Sequence, residues 1–326
     1  MPHPTAVAVS AADLTKTYAA GRGRPPVRAL DGLSLDIPRG SVFALLGRNG
    51  AGKSTTVRIL ATLARPDSGR ATVAGHDVGH DPEAVRHAIG LISQKASSDP
   101  LATARENLLL AGRIQAMTGA SARARADELL ERFGLADAAD RRAGTFSGGM
   151  SRRLDVAIGL MHRPDVLFLD EPTTGLDPEA RTDMWAEIRR MTADDEVTVL
   201  LTTHYLEEAD RLADRVAIVD AGRVVVEGAP ETLKREMRGD TVQVQLATGD
   251  AAPGVLRLLE RVDGLHGVAA EGALVRARAT AGARAVPSVV GALEDAGFGV
   301  ESVTVARPSL DDVYLHYAGR SLEAAA

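Results

Sequence analysis

Between Gly47 and Ser54 the chain reads Gly-Arg-Asn-Gly-Ala-Gly-Lys-Ser, a glycine-rich octet closed by a lysine and a hydroxyl. The glycines let the backbone curl until its N–H groups converge, and converging N–H groups bind phosphate oxygens. An apolar run from Val42 to Leu46 precedes the octet, and a helix-period pattern through Val57, Ile59, Leu60 and Leu63 follows it. The loop therefore presents its ligand to a helix N-terminus, where the dipole and unpaired donors add to the attraction. In that setting Lys53 reaches the β and γ phosphates of a nucleotide, and the Ser54 hydroxyl can coordinate Mg2+. Gly47, Asn49, Gly50, Ala51, Gly52, Lys53, Ser54 and the adjoining Thr55 are the phosphate-binding candidates. The spacing does not complete G-x-G-x-x-G, which disfavours a dinucleotide fold.

A second run, Val166-Leu167-Phe168-Leu169, ends in Asp170 and Glu171. Successive residues of a strand point to opposite faces, so two adjacent carboxylates take different roles. Asp170 can join the Mg2+ shell while Glu171 faces the γ phosphate and polarises water. Adjacent acids are common at strand ends; the phosphate loop upstream gives this pair its meaning. Phe146-Ser147-Gly148-Gly149-Met150 opens another helix with a hydroxyl and two glycines. Alone it reads as a helix N-cap. Beside the first loop it is a second phosphate-type helix start, which one nucleotide does not need, and so it points to a nucleotide held by another copy of the chain.

The elements that position these residues follow from apolar patterning. Ala6 to Leu14 and Leu33 to Ile37, separated by the Gly/Arg/Pro-rich stretch Gly21 to Pro26, read as strands. Pro82 to Ala143 is mostly helical, giving a helical subdomain over about residues 95–150. The strands at Val166–Leu169 and Val197–Thr202 alternate with helical stretches at Arg152–Met161 and Glu179–Met191, as in a parallel sheet covered on both faces. Arg215–Val219 and Arg223–Glu227 flank Asp220-Ala221-Gly222 as a hairpin. The character changes near residue 240. Beyond it, alternation at Val242, Val244 and Leu246 leads into a helical stretch, a strand at Ala273–Ala277, a helix at Val286–Ala296, a strand at Val300–Val305 and a last helix from Ser309 to Tyr317. This is a small C-terminal α+β unit over residues 241–326, after a nucleotide-binding domain over 6–235.

Composition bounds the function classes. The 326 residues are 45% apolar and 25% charged, ordinary globular proportions, with aromatics at only 3%, so Leu, Val, Ile and Ala must build the core. A net charge of −6 gives no general attraction to nucleic acid, which is not expected as a partner. No cysteine is present, which excludes disulfides, thiol catalysis and Cys-type metal sites. The N-terminus lacks a secretory pattern and no long apolar run appears, so a role at a membrane is expected to come through another polypeptide.

Taken in order, these motifs resemble the nucleotide-binding domain of ATP-binding cassette (ABC) transporters, over about residues 6 to 235. The resemblance makes Gly47–Ser54 the Walker A loop, Gln94 the Q-loop, Ser147–Gly149 the signature, Val166–Asp170 with Glu171 the Walker B strand, Gly175-Leu176-Asp177 the D-loop and His204 the switch histidine. It implies a P-loop NTPase α/β fold: a RecA-like core with an antiparallel β region and a helical subdomain. It further implies a homodimer facing head to tail, with each ATP between the Walker A of one copy and the signature of the other. By the same resemblance Gln94 contacts Mg2+ or the attacking water and senses the membrane partner. His204 contacts the γ phosphate, Asp177 joins the nucleotide site and Tyr18 stacks on adenine.

The chain also departs from the family pattern. Phe146 and Met150 flank Ser-Gly-Gly where Leu and Gln are usual, which puts in doubt a contact made by the Gln side chain. Arg48 stands where Pro is common, at a position whose backbone meets phosphate. Lys234-Arg235-Glu236-Met237, Ser309-Leu310-Asp311-Asp312-Val313-Tyr314-Leu315 and the closing Ala318-Gly319-Arg320 are similar to motifs of daunorubicin-resistance-type exporter ATPases. That subfamily implies a peripheral protein on the cytoplasmic face of the cell membrane. It would power export of a hydrophobic drug or antibiotic, anthracycline-like in type, through a permease on a separate chain. The alternatives are a soluble ABC ATPase acting on ribosomes or DNA, against which the single cassette speaks, and a non-catalytic nucleotide sensor, disfavoured by Lys53, Asp170, Glu171 and His204 all being present.

Overall fold

The computed structural model describes residues 6–19, 25–94, 96–237, 239–247 and 253–319. Lys95, Arg320, the Ala-rich end and most of the Gly21–Pro26 stretch lie outside them. The chain divides into two compact units, the second beginning at Glu231.

In chain order the first unit runs β1 (Val7–Tyr18), β2 (Val27–Pro38), β3 (Val42–Leu46), α1 (Lys53–Leu60), β4 (Ser68–Val73), β5 (His76–Asp77), α2 (Pro82–Ala88) and β6 (Ile89–Ile92). It continues through α3 (Ala104–Ile114), α4 (Gly119–Arg132), α5 (Gly148–Gly159), β7 (Val166–Asp170), α6 (Pro178–Asp194), β8 (Thr198–Thr203), α7 (Leu206–Leu212), β9 (Arg215–Asp220) and β10 (Arg223–Gly228). The helix α8 (Pro230–Glu236) follows. Six strands form the central sheet in the order β10-β9-β3-β8-β7-β6. All its neighbours pair in parallel except the β9–β10 hairpin. Every residue of β3 and β8 is buried, so neither strand alternates: β3 is apolar throughout, and β8 carries Val199–Leu201 between buried threonines. A second sheet, β2-β1-β4-β5, is antiparallel. One core joins Leu14, Leu33 and Ile37 of that sheet to Phe43, Leu45 and Phe168 of the parallel sheet and to Val57 and Leu60 of α1.

In the first unit three strands, and the helix α7, depart from the sequence reading. β4 and β5 fall where no strand is expected. β6 interrupts the stretch read as helical; Ile-Gly-Leu-Ile is four residues long and follows α2 with no turn residue between them, so neither period nor punctuation betrays it. The turn of the β9–β10 hairpin is two residues, Ala221 and Gly222, both at positive φ, because Asp220 pairs directly with Arg223.

The second unit contains β11 (Asp240–Leu246), α9 (Pro253–Leu259), β12 (Leu265–Glu271), β13 (Leu274–Ala279), α10 (Gly282–Asp295), β14 (Val300–Ala306) and α11 (Leu310–Ala318). Its sheet is antiparallel in the order β12-β13-β11-β14, a split β-α-β arrangement. Val242, Val244, Val275 and Ala277 pack on Val255, Leu259, Val289 and Leu293 as a core of its own. β12 corrects the sequence reading, which runs helical from Leu246 to the strand at Ala273. Its Leu-His-Gly-Val-Ala-Ala-Glu is a mostly exposed edge strand with no alternation to read.

Candidate functional site

The β3–α1 connection, Gly47 to Gly52, turns on positive φ at Gly50 and Gly52. At Gly52, φ is +114 and a Cβ would fall 2.6 Å from Ala29 O, so only glycine fits. Lys53, the first residue of α1, is buried and donates to Gly47 O at 2.5 Å and Arg48 O at 3.1 Å. Burial holds its ammonium pKa below the ordinary lysine value, while Glu171 and Asp170 pull in the opposite direction. The ammonium thus lies over the carbonyls of its own loop, where phosphate oxygens would compete for it.

Ser54 faces the end of β7. Its hydroxyl donates to Asp170 Oδ1 at 3.2 Å, and Thr202 of β8 donates to the same oxygen at 2.5 Å. A hydroxyl and one carboxylate, both hard oxygen donors, match a cation completed by phosphate oxygens and water. Among the described residues no group of three His, Asp or Glu stands ready to cage a metal by itself.

Glu171 begins the turn after β7 at φ +49, an unusual backbone for a residue with a Cβ. Gln94 Nε2 donates to its Oε2 at 3.4 Å, and Thr174 Oγ1 donates to the same oxygen at 3.3 Å. His204 Nδ1 lies 3.3 Å from Oε1, though it is buried without hydrogen-bond geometry. The fold thereby gathers Lys53, Ser54, Gln94, Asp170, Glu171 and His204 at the C-terminal ends of β3, β6, β7 and β8, where open parallel sheets bind ligands.

The remaining candidates stand apart from this group. Ser147 caps α5, its hydroxyl accepting from Met150 N at 3.3 Å, and Asp177 caps α6, accepting from Ala180 N at 2.8 Å. A Cβ on Gly149 would lie 3.0 Å from Ala180 Cβ, so the two capped helix starts touch. Tyr18 ends β1 in the antiparallel sheet; its ring lies 5.6 Å from Lys16 Nζ, and its hydroxyl is buried with no hydrogen-bond partner.

Two residues were invisible to sequence reasoning. Arg152 on α5 is buried and donates to the carbonyls of Ser93, Asp170, Glu171 and Pro172. Burial lowers its pKa against the pull of Asp155, Asp170 and Glu208. Glu208 on α7 is fully buried, accepting from Thr173 Oγ1 at 2.8 Å and Trp185 Nε1 at 3.2 Å. Burial pushes its carboxyl pKa up, against hydrogen bonds from Thr203, Thr173 and Trp185 and the charge of Arg181. The one available signal was a carboxylate among the apolar positions Leu206, Ala209 and Leu212; nothing distinguished Arg152 from its neighbour Arg153.

A model of the ABC transporter family matches residues 30–174. The chain is 49% identical over 294 residues to the daunorubicin resistance ATP-binding protein DrrA3 of Streptomyces coeruleorubidus, covering 90% of this chain and 92% of that protein. It is 40% identical over 316 residues to the doxorubicin resistance ATP-binding protein DrrA of Mycobacterium tuberculosis, covering 95% and 93%. A solved ATP-binding cassette, dimeric and bound to ADP and Pi after hydrolysis, is 28% identical with a TM-score of 0.62, covering 68% of this chain and 98% of that one.

Proposed function

The chain belongs to the ATP-binding proteins of ABC transporters, among those of the daunorubicin-resistance type, and from that premise we propose that it powers export of a hydrophobic, anthracycline-like compound through a permease on a separate chain. The observation that carries the reading is Glu171, a carboxylate touched by Gln94 and Thr174, close to His204 and next to the Ser54–Asp170 pair. The drug class rests on the names of the relatives, which also favour export over action on ribosomes or DNA.

In this reading the Gly47–Thr55 loop binds the ATP phosphates through Gly47, Asn49, Gly50, Ala51 and Gly52, and Lys53 meets the β and γ phosphates. Ser54, Asp170 and Gln94 would hold Mg2+, which when bound would screen the phosphate charge. Glu171 takes a proton from the water whose oxygen bonds to the γ phosphorus as the bond from that phosphorus to the β–γ bridging oxygen breaks and ADP leaves, and His204 steadies the transferred phosphoryl group. Tyr18 stacks on adenine. Ser147, Gly148, Gly149 and Asp177 serve the nucleotide of a second copy in a homodimer, as the dimeric solved relative supports.

Among the described residues no helix is long and apolar enough to cross a membrane. We assign the protein to the cytoplasmic face of the membrane, docked on the permease beside Gln94. Leu101, 76% exposed, offers an apolar contact a few residues after Gln94. Residues 6–235 would form the nucleotide-binding domain and 241–326 an accessory domain, consistent with the separate cores.

Glu171→Gln should leave binding of a fluorescent ATP analogue intact and slow steady-state hydrolysis about 10²- to 10⁴-fold. Lys53→Ala should weaken binding itself. Unchanged turnover in the Glu171→Gln protein would refute the base assignment. In cells co-expressing the permease, daunorubicin efflux that survives Glu171→Gln would refute the coupling to export.

A further inference from the structure

We infer, given the reading of Glu171 as the general base, that Arg152 is the positioning residue that sets the aim of Glu171 and ties the Gln94 loop to it. Glu171 holds φ at +49, which for a residue with a Cβ costs about 1–2 kcal/mol. Such a conformation persists only where its surroundings over-determine it. Two clamps do so here. From β8, Thr202 accepts the Glu171 N–H at its carbonyl and at its hydroxyl, each at 3.1 Å. From α5, Arg152 donates to all three successive carbonyls of the turn: Nε to Pro172 O at 2.8 Å, and Nη2 to Asp170 O at 3.3 Å and Glu171 O at 3.4 Å.

The fork has one nitrogen left. Arg152 Nη1 donates to Ser93 O at 2.8 Å, immediately before Gln94, whose side chain reaches Glu171. One turn further along α5, Asp155 Oδ1 accepts from the N–H groups of Ser97 at 2.9 Å and Ser98 at 3.0 Å. The helix that starts with the signature thus grips the Gln94 loop on both sides and the Glu171 turn at the same time. A planar guanidinium suits this task, because its donors diverge in fixed directions toward acceptors from two segments. A lysine ammonium supplies charge without that fork. At 8% exposure, each carbonyl that Arg152 releases would lose a partner in a place water barely reaches.

The test is a double-mutant cycle on the full chain, read by steady-state ATPase activity, binding of a fluorescent ATP analogue and thermal unfolding. Arg152→Lys should lower kcat about 10- to 100-fold, the scale of an approximately 1 Å misplacement of a catalytic group, and leave analogue affinity within about 2-fold. Arg152→Gln should lose at least as much. In the Glu171→Gln background Arg152→Lys should cost less than about 2-fold, because no base remains to be aimed. Full additivity in the cycle, or a loss of nucleotide affinity equal to the loss of kcat, would overturn the proposal. So would unchanged kcat in Arg152→Lys, or failure of both Arg152 variants to fold, which would make the guanidinium a core-building group. Normal turnover in Glu171→Gln alone would instead refute the base assignment, so the two failures are distinguishable.

Discussion

Ser54 Oγ donates to Asp170 Oδ1 at 3.2 Å, so two residues 116 positions apart share a hydrogen bond between the phosphate loop and the end of β7. Thr202 holds the same carboxylate oxygen from β8, which leaves Asp170 little freedom to rotate. Asp170→Asn keeps the shape and removes the charge. Hydrolysis should fall about 10²- to 10³-fold, the range for losing one preorganised electrostatic group, and the Mg2+ concentration for half-maximal activity should rise. Removing Mg2+ with EDTA should abolish activity in the parent, and returning it should restore it. An Asp170→Asn protein with the parental Mg2+ dependence would remove Asp170 from the metal site.

Glu208 gives a pH-dependent prediction. Its carboxyl pKa is raised by burial, so the folded chain holds that proton more tightly than the unfolded chain does. Stability from this group is fully present below the ordinary glutamate range and is lost as pH rises through the raised folded value. Glu208→Gln stays neutral throughout and keeps an oxygen for Thr173 and Trp185. The variant should therefore gain in melting temperature relative to the parent as pH rises across that window, and then level off. Trp185 is the sole tryptophan and donates to Glu208, so its fluorescence can follow the unfolding. A difference in melting temperature that does not change with pH would show that Glu208 titrates like an exposed glutamate.

What was legible in the sequence was what sits in consecutive residues. Gly47 to Ser54, Asp170-Glu171 and Ser147-Gly148-Gly149 each carry their chemistry within a short segment, and strand, loop and helix follow from the flanking apolar runs. Arg152 and Glu208 escaped because their meaning lies in partners from other segments: carbonyls at Ser93 and Pro172, a hydroxyl at Thr173, an indole at Trp185. β6 and β12 escaped for a different reason. One is a four-residue strand running straight on from a helix, and the other is an exposed edge whose Ala and Gly residues carry little strand signal.

The hairpin after β9 bears on the phosphate loop as well as on stability. Gly222 stands at φ +79, and a Cβ there would lie 2.8 Å from both Ala29 O and Leu30 Cα. Its N–H donates to Ala51 O at 2.9 Å, and its carbonyl accepts from Asp31 N at 3.0 Å. Gly222→Ala should cost about 1–3 kcal/mol by denaturant unfolding, the price of forcing a strained backbone, and should raise the KM for ATP by shifting Ala51. Ala221→Gly, at φ +47, relieves strain and adds unfolded-state entropy, so its net effect should stay within about 1 kcal/mol. Equal stability of the Gly222→Ala protein and the parent would show that the hairpin tip yields easily.

The start of α5 holds a glycine that its own chain does not require. Among the described residues a Cβ on Gly148 would meet no atom within 4 Å beyond its own helix backbone and chain neighbours, and its φ is not in the left-handed region. Its smallness suits something from outside the chain, as a site shared between two copies would demand. Lys53→Ala chains have lost the loop cation and keep the Ser147 surface; Ser147→Arg chains keep the loop and block that surface. In a mixed dimer one composite site is then intact and the other is doubly damaged. With random pairing half the dimers are mixed and each has one working site, so the mixture should recover up to about a quarter of parental ATPase activity if the sites act independently. Crosslinking across the interface measures the mixed-dimer fraction. If mixed dimers form and remain as inactive as either variant alone, Ser147 does not complete an independently working site in its partner.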